Sequence, residues 1–339
     1  MSDLRGGLIG CGFFARNHLH AWNEVSGAQI VAVCDLDIDR AAAYAQEFRI
    51  PAYYAHANDM LHDEDLDFVD IVTHASTHRE LVELVAASGT HVICQKPLAF
   101  TLEDCRAMVD VARAAGVRFM AHENFRWQTP MRRLRDASAS LGELFFGRIT
   151  FRTAFEVYAS QPYLATDERL IIADLGVHLL DLARFFLGEA ERVSCVTRRV
   201  NPRIAGEDVA TILLQMRSGA TCVVELSFAS HLDEELFPQT LVHLEGAAGT
   251  ATLGPHYALT ITDASGTRHA DAAPRRFGWT TPMMEAIQDS VVAIEQHWAD
   301  CLHANREPET SGEDNLRTLA LVYAAYDAAD RGETAAIAD

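Results

Sequence analysis

The chain has 339 residues, 49% hydrophobic and 22% charged, the proportions of a soluble globular protein long enough for about two domains, each with its own core. A formal charge of −20 argues against nucleic acid as a partner, because phosphate binding needs clustered cations. The seven cysteines form no C-x-x-C pair, the start has no signal-peptide core, and no apolar run approaches the ~20 residues that span a bilayer, so a cytoplasmic protein without disulfides, metal or membrane is expected.

Leu8-Ile9 reads as a strand running into Gly10-Cys11-Gly12-Phe13-Phe14-Ala15, with a helix from about Ala15 to Val25. This is the G-x-G-x-x-G/A pattern of a dinucleotide-binding turn: Gly10 for the turn, Gly12 for close backbone approach to a pyrophosphate, Ala15 for close helix packing. A second buried strand, Gln29 to Cys34, ends at Asp35, at the spacing of a carboxylate that binds the adenosine ribose. Asp35 would repel a 2′-phosphate, so NAD is expected over NADP. Asp35 also reads as a cap, since Asp37 and Asp39 follow.

Helix and strand then alternate: helix Asp39–Phe48, strand Phe68–Val72, helix Arg79–Ser88, strand His91–Cys94, helix Leu102–Ala115, strand Val117–Ala121. That alternation predicts a doubly wound parallel sheet, with ligands at the strands' carboxyl ends, where Gly10, Asp35, Thr73, Gln95 and Asn124 fall. Lys96 follows a buried strand and precedes a proline, which restricts its backbone to extended conformations and marks it as an active-site candidate.

From Gly147 the character changes. Arg148–Phe155, Arg192–Val200, Val209–Met216, Thr221–Ala229, Thr240–Glu245, Gly249–Leu253 and Ala258–Thr262 read as strands with no helix between most of them. They predict a largely antiparallel, open-faced sheet, with Arg217-Ser218-Gly219-Ala220 as a hairpin turn. Helices are expected over Pro130–Leu141, from Ile172 to near Gly188, over Thr281–Asn305 and over Gly312–Asp330. In the second of these, Asp174 and His178 stand four apart on one stripe, an arrangement suited to an acid orienting an imidazole base; Asp181 reads as structural. Tyr163 and Arg169 sit on a loop before it. The divisions expected are a Rossmann domain over 1–122, an α+β domain over 123–310, and a C-terminal helix over 311–339 returning toward the first.

Gly10-Cys11-Gly12-Phe13-Phe14-Ala15, Thr73-His74-Ala75-Ser76-Thr77-His78-Arg79-Glu80, Gln95-Lys96-Pro97 and Asp174-Leu175-Gly176-Val177-His178 occur in that order, and the chain so resembles the glucose-fructose oxidoreductase/inositol dehydrogenase/rhizopine-catabolism (Gfo/Idh/MocA) family over nearly its whole length. The resemblance implies an NAD-dependent oxidoreductase acting on a sugar or polyol. It implies cofactor contacts from Gly10, Gly12, Phe13, Phe14, Ala15, Asp35, Arg40, Thr73, His74, His78, Gln95, Lys96 and Asn124. Substrate contacts are implied for Lys96, Asn124, Arg126, Tyr163, Arg169, Asp174 and His178, with Lys96, Asp174 and His178 catalytic. Gln95 stands where the family has Glu, and His74-Ala75 where it has Pro-Asn. In that family an open-faced sheet like that of the second half makes subunit contacts, so the resemblance implies a homodimer or homotetramer.

The segments around Lys96, Asn124 and His178 are most similar to pentose dehydrogenases of the apiose-oxidising kind, which act at an anomeric hydroxyl and release a lactone. Two other readings give different outcomes: an NAD-dependent glycoside hydrolase that oxidises the sugar only transiently, and a non-catalytic NAD-binding sensor.

Overall fold

The computed structural model describes residues 3–337, with the side chains of Ser160 and Tyr163 outside that description. The chain forms two compact units, one running to Asn124 and including Val291–Leu316, the other comprising Phe125–Ser290 and the residues from Arg317 onward.

In the first unit, strands β1 (Leu4–Ile9), β2 (Ala28–Cys34), β3 (Ala52–Tyr54), β4 (Phe68–Ile71), β5 (His91–Gln95) and β6 (Phe119–His122) make one sheet of order β3-β2-β1-β4-β5-β6. Every pairing is parallel. Helices α1 (Ala15–Trp22), α2 (Ile38–Phe48), α3 (Ala57–Asp63), α4 (Ala75–Ala87) and α5 (Leu102–Ala115) alternate with the strands. Central strands such as Phe68–Ile71 are buried at every residue, as they must be when helices cover both faces. The order reverses between β1 and β4, the switch point at which such sheets bind ligands.

The helix starts have local causes. Asp37 accepts the Arg40 N–H at 3.2 Å to cap α2, and Thr101 accepts the Asp104 N–H at 3.1 Å to cap α5. His74 caps α4, which therefore begins at Ala75, a turn earlier than its apolar pattern indicates. β3 and α3 lie in a stretch where no element was expected.

Residues 291–316 group with this unit, whereas the expected division falls at 310/311. Burial explains the return: Trp298 is fully buried, its ring 6.4 Å from that of Phe68, and Thr310 Oγ1 donates to Ala121 O at 3.0 Å.

The second unit holds α6 (Thr129–Ser138), β7 (Leu144–Arg152), α7 (Val157–Ser160), α8 (Val177–Leu187), β8 (Ala190–Arg198), β9 (Val209–Met216), β10 (Thr221–Ser227), β11 (Leu241–Gly246), β12 (Gly249–Leu253), β13 (Ala258–Asp263) and β14 (Gly266–Asp271). After these come α9 (Glu285–His303) and α10 (Gly312–Arg331), each divided between the units, and β15 (Ala335–Ala336). The sheet runs β14-β13-β12-β11-β7-β10-β9-β8-β15 and is antiparallel except between β7 and β10. In β9 Ala210, Ile212, Leu214 and Met216 are buried while the residues between them are exposed, the alternation of a sheet covered on one face. Gly219, at φ +89°, makes the expected turn into β10. Among the described residues no helix is long and apolar enough to cross a membrane.

Candidate active site

The candidate nucleotide site is built on the switch point of the first unit. Gly10 has φ +100°, and a Cβ there would sit 2.7 Å from Val72 O, so only glycine fits. A Cβ at Gly12 would meet nothing within 4 Å, which leaves open space over the backbone where a pyrophosphate is expected to lie. Ala15 is fully buried, and α1 begins with no acid in its first turn, so no carboxylate of its own competes for the positive end of the helix dipole. Tyr44 Oη holds the loop by donating to Gly12 O at 2.9 Å.

Asp35 binds this loop as well as ending β2. Its Oδ2 accepts the Cys11 N–H at 2.8 Å and its Oδ1 accepts the Asp37 N–H at 2.9 Å, with Arg40 Nη1 3.6 Å away. Each carboxylate oxygen keeps a second lone pair, enough for a ribose diol. Burial, with Asp35 adding to it, pushes the Cys11 thiol up to about 12, so that sulfur stays protonated beside the carboxylate. Phe13 is 74% exposed at the loop's tip, whereas Phe14 turns inward with its ring edge on His18. An open glycine, an anion-ready helix start and a diol-ready carboxylate together fit NAD.

The turns after β4 and β5 are tied to each other. His78 is fully buried, with Nε2 3.1 Å from Thr73 O and Nδ1 3.1 Å from both Pro97 O and Leu98 O. Burial pulls its pKa down, with those carbonyls acting against the shift. His74 is exposed at the start of α4. Gln95 is buried, and its Oε1 accepts the Lys96 N–H at 2.7 Å. Lys96 is half-buried and precedes Pro97 through a cis peptide bond, and Asn124 is buried after β6. Gly10, Asp35, Thr73, Gln95 and Lys96 thus all lie at the carboxyl ends of parallel strands in this one unit.

The second unit carries the other group of expected residues. Asp174 lies in a π-helical turn, Ile172–Gly176, that leads directly into α8. Such turns add a residue to the helical register and recur at functional sites. α-Helical spacing sets Asp174 and His178 on one stripe; the π turn alters that register. His178 is buried, its ring stacked on Phe125 at 3.9 Å and 3° between planes. That contact fixes the imidazole plane.

The turn itself is anchored by a carboxylate. Glu207 accepts from Leu170 N at 3.2 Å, from Ile172 N at 3.3 Å and from Tyr326 Oη at 2.8 Å. Tyr326 Oη in turn accepts the Ala173 N–H at 3.0 Å, and burial, followed by Glu207, drives its pKa upward. Arg126 is buried in a two-point ion pair with Asp181, Nε to Oδ2 at 2.7 Å and Nη2 to Oδ1, and Thr318 Oγ1 donates to the same carboxylate at 2.9 Å. Arg169 is exposed, 3.4 Å from Asp330 and over the Tyr326 ring. The Tyr163 side chain lies outside the described residues.

Four residues of this arrangement escape the motif reading: His18, Phe125, Glu207 and Tyr326. His18 leaves one usable sign, being polar on the buried stripe Ala15, His18, Leu19, Trp22. Phe125 has a sign only in its place between Asn124 and Arg126. Glu207 and Tyr326 reach the π turn only through the fold.

Comparison with known proteins agrees with this architecture. Residues 4–123 match the model of an oxidoreductase family with an NAD-binding Rossmann fold, and residues 131–252 match the GFO/IDH/MocA C-terminal domain. The chain belongs to the GFO/IDH/MocA family and is an NAD-binding oxidoreductase. It is 54% identical to a D-apiose dehydrogenase from Paraburkholderia graminis, over 98% of this chain and 89% of that one. It is 48% identical to a D-apiose dehydrogenase from Rhizobium rhizogenes, over 98% and 97%. An oxidoreductase from Agrobacterium radiobacter, solved with NAD+, L-tartaric acid and magnesium, superposes with a TM-score of 0.97 at 48% identity over 99% of both chains.

Proposed function

We propose that the protein oxidises the anomeric hydroxyl of an uncharged pentose, D-apiose or a close analogue, to the lactone. The observation that carries the substrate is likeness along nearly the whole length to two D-apiose dehydrogenases at about half identity. NAD, when bound, supplies the hydride acceptor. The chain's own residues do the rest. His178, held in plane by Phe125 and preceded by Asp174 in the π turn, takes the hydroxyl proton. Lys96 stabilises the alkoxide oxygen that develops as the carbon loses hydride. Asp35 selects the unphosphorylated ribose. Exposed Val196 and Leu213 on the neighbouring strands β8 and β9 support association of copies through the open sheet face.

NADH formation should be strong with D-apiose and weak across a panel of other aldoses, polyols and hydroxy acids. Lys96→Ala should keep NAD binding nearly intact and lose roughly 10²–10⁴-fold in turnover, as should His178→Asn. Near-normal turnover in Lys96→Ala removes the assigned role. Release of an aglycone without net NADH would make the protein a hydrolase instead, and NAD binding without turnover of any sugar would make it a sensor.

A further inference from the structure

A buried chain of polar side chains runs beneath the turn that carries Lys96, all within the first unit. His18 on α1 is fully buried, and its Nδ1 lies 2.7 Å from Oδ2 of Asp70 on β4, an oxygen that also accepts from Trp22 Nε1 at 2.9 Å. His18 Nε2 lies 3.1 Å from Gln95 Nε2, and Gln95 Oε1 accepts the Lys96 backbone N–H at 2.7 Å. Counting protons leaves one assignment. The Lys96 N–H can only donate, so the Gln95 oxygen accepts and its nitrogen is the donor. His18 Nε2 is then the bare nitrogen, and the single imidazole proton sits on Nδ1, facing Asp70.

We infer that His18 is a positioning residue for Lys96, fixing the turn after β5 through the Gln95 carboxamide. The inference rests on the reading that Lys96 acts on the substrate oxygen. It also gives the Gln95 carboxamide a role that an ionised carboxylate could not fill. An ionised glutamate has no proton for His18 Nε2, and it would add a carboxylate to a crowded site. His18 already faces Asp70 from β4, Glu295 from α9 at 3.3 Å, the His122 ring from β6 at 4.2 Å and the Phe14 ring edge, and the Cys94 thiol lies near Asp70. The carboxamide is neutral and carries both a donor and an acceptor, so it bridges His18 and the Lys96 N–H without a charge.

Two variants of the full chain test this. His18→Asn keeps a donor for Asp70 and removes the acceptor for Gln95. Turnover should fall on the order of 10–100-fold through misplacement of the turn, with NADH affinity within about twofold of wild type. Gln95→Glu should be nearest wild type at low pH, where a protonated carboxyl can still donate to Nε2, and should lose turnover relative to wild type as pH rises. A folded His18→Asn protein with full turnover, or one losing NADH affinity in step with turnover, would overturn the inference. So would a pH profile of Gln95→Glu that superimposes on wild type. The donor atoms of His18, His122 and Glu295 also lie within 4.8 Å of one another, and a stoichiometric divalent metal found by elemental analysis would equally overturn it. Turnover retained in Lys96→Ala brings down the reading beneath; full turnover in His18→Asn beside an inactive Lys96→Ala removes this step alone.

Discussion

Asp35 carries two obligations that pull on the same carboxylate. It holds the glycine loop through the Cys11 N–H, and by the cofactor reading it receives the ribose. Its charge matters differently to the two. A backbone N–H needs only an acceptor, whereas exclusion of a 2′-phosphate needs the negative charge itself. Asp35→Asn should therefore lower kcat/KM with NAD by about tenfold and raise it with NADP, aided by the half-exposed Arg40 3.6 Å away. Like-charge contact costs several kcal/mol, so the NAD:NADP preference should shift on the order of 100-fold. Steady-state kinetics with both cofactors checks this, and an unchanged ratio would remove Asp35 from cofactor selection. Gly10, Gly12 and Asp35 are legible in the sequence because their roles depend on spacing within a single strand-turn-helix-strand run. His18 is not, because the partners that give it meaning stand on β4 and β5.

At the scale of elements, the π turn before α8 is the feature on which the second group of candidate residues depends. Glu207 accepts two backbone N–H groups at the helix start and the Tyr326 hydroxyl, all orphan donors without it. Glu207→Ala should destabilise the protein by about 2–3 kcal/mol, since a charged acceptor is lost from buried donors, and should lower turnover without weakening NADH binding. Tyr326→Phe keeps the carboxylate and should cost only about 1 kcal/mol. Urea unfolding beside NADH titration separates these effects, and equal losses in the two variants would assign the anchor to Tyr326. The alternation of strands and helices, the antiparallel second sheet and the turn at Gly219 follow from local pattern, so they can be read directly. The π turn cannot, because the carboxylate that holds the backbone N–H groups at its start is remote in sequence. β3 is too short and α3 too short and too polar to stand out, and β14 is exposed at every residue, without the alternation that marks a strand.

Over the whole molecule, the chain's return through residues 291–316 into the first unit lies beyond local pattern, since an apolar helix does not announce which core it fills. The same return buries Glu295 completely, against Asp70 and His18, and makes a prediction about stability. Burial, reinforced by the Asp70 charge, raises the Glu295 pKa well above the ordinary carboxyl value, so the folded protein keeps a proton that the unfolded chain releases above about 4.3. Below that pH both states are protonated and the stabilising contribution is fully present. As pH rises toward the folded pKa the unfolded state binds fewer protons than the native one, and stability drains away. Glu295→Gln is neutral at every pH and has nothing to lose. The two proteins should therefore be closest in stability near pH 4, and the variant should gain on wild type as pH rises to 8, by up to about 1.4 kcal/mol per pH unit. Every other titrating group is common to both, so the difference between their urea midpoints isolates this one carboxyl. Parallel midpoints from pH 5 to 8 would mean that Glu295 is ionised in the fold, with its charge balanced by His18 or His122 instead of by a retained proton.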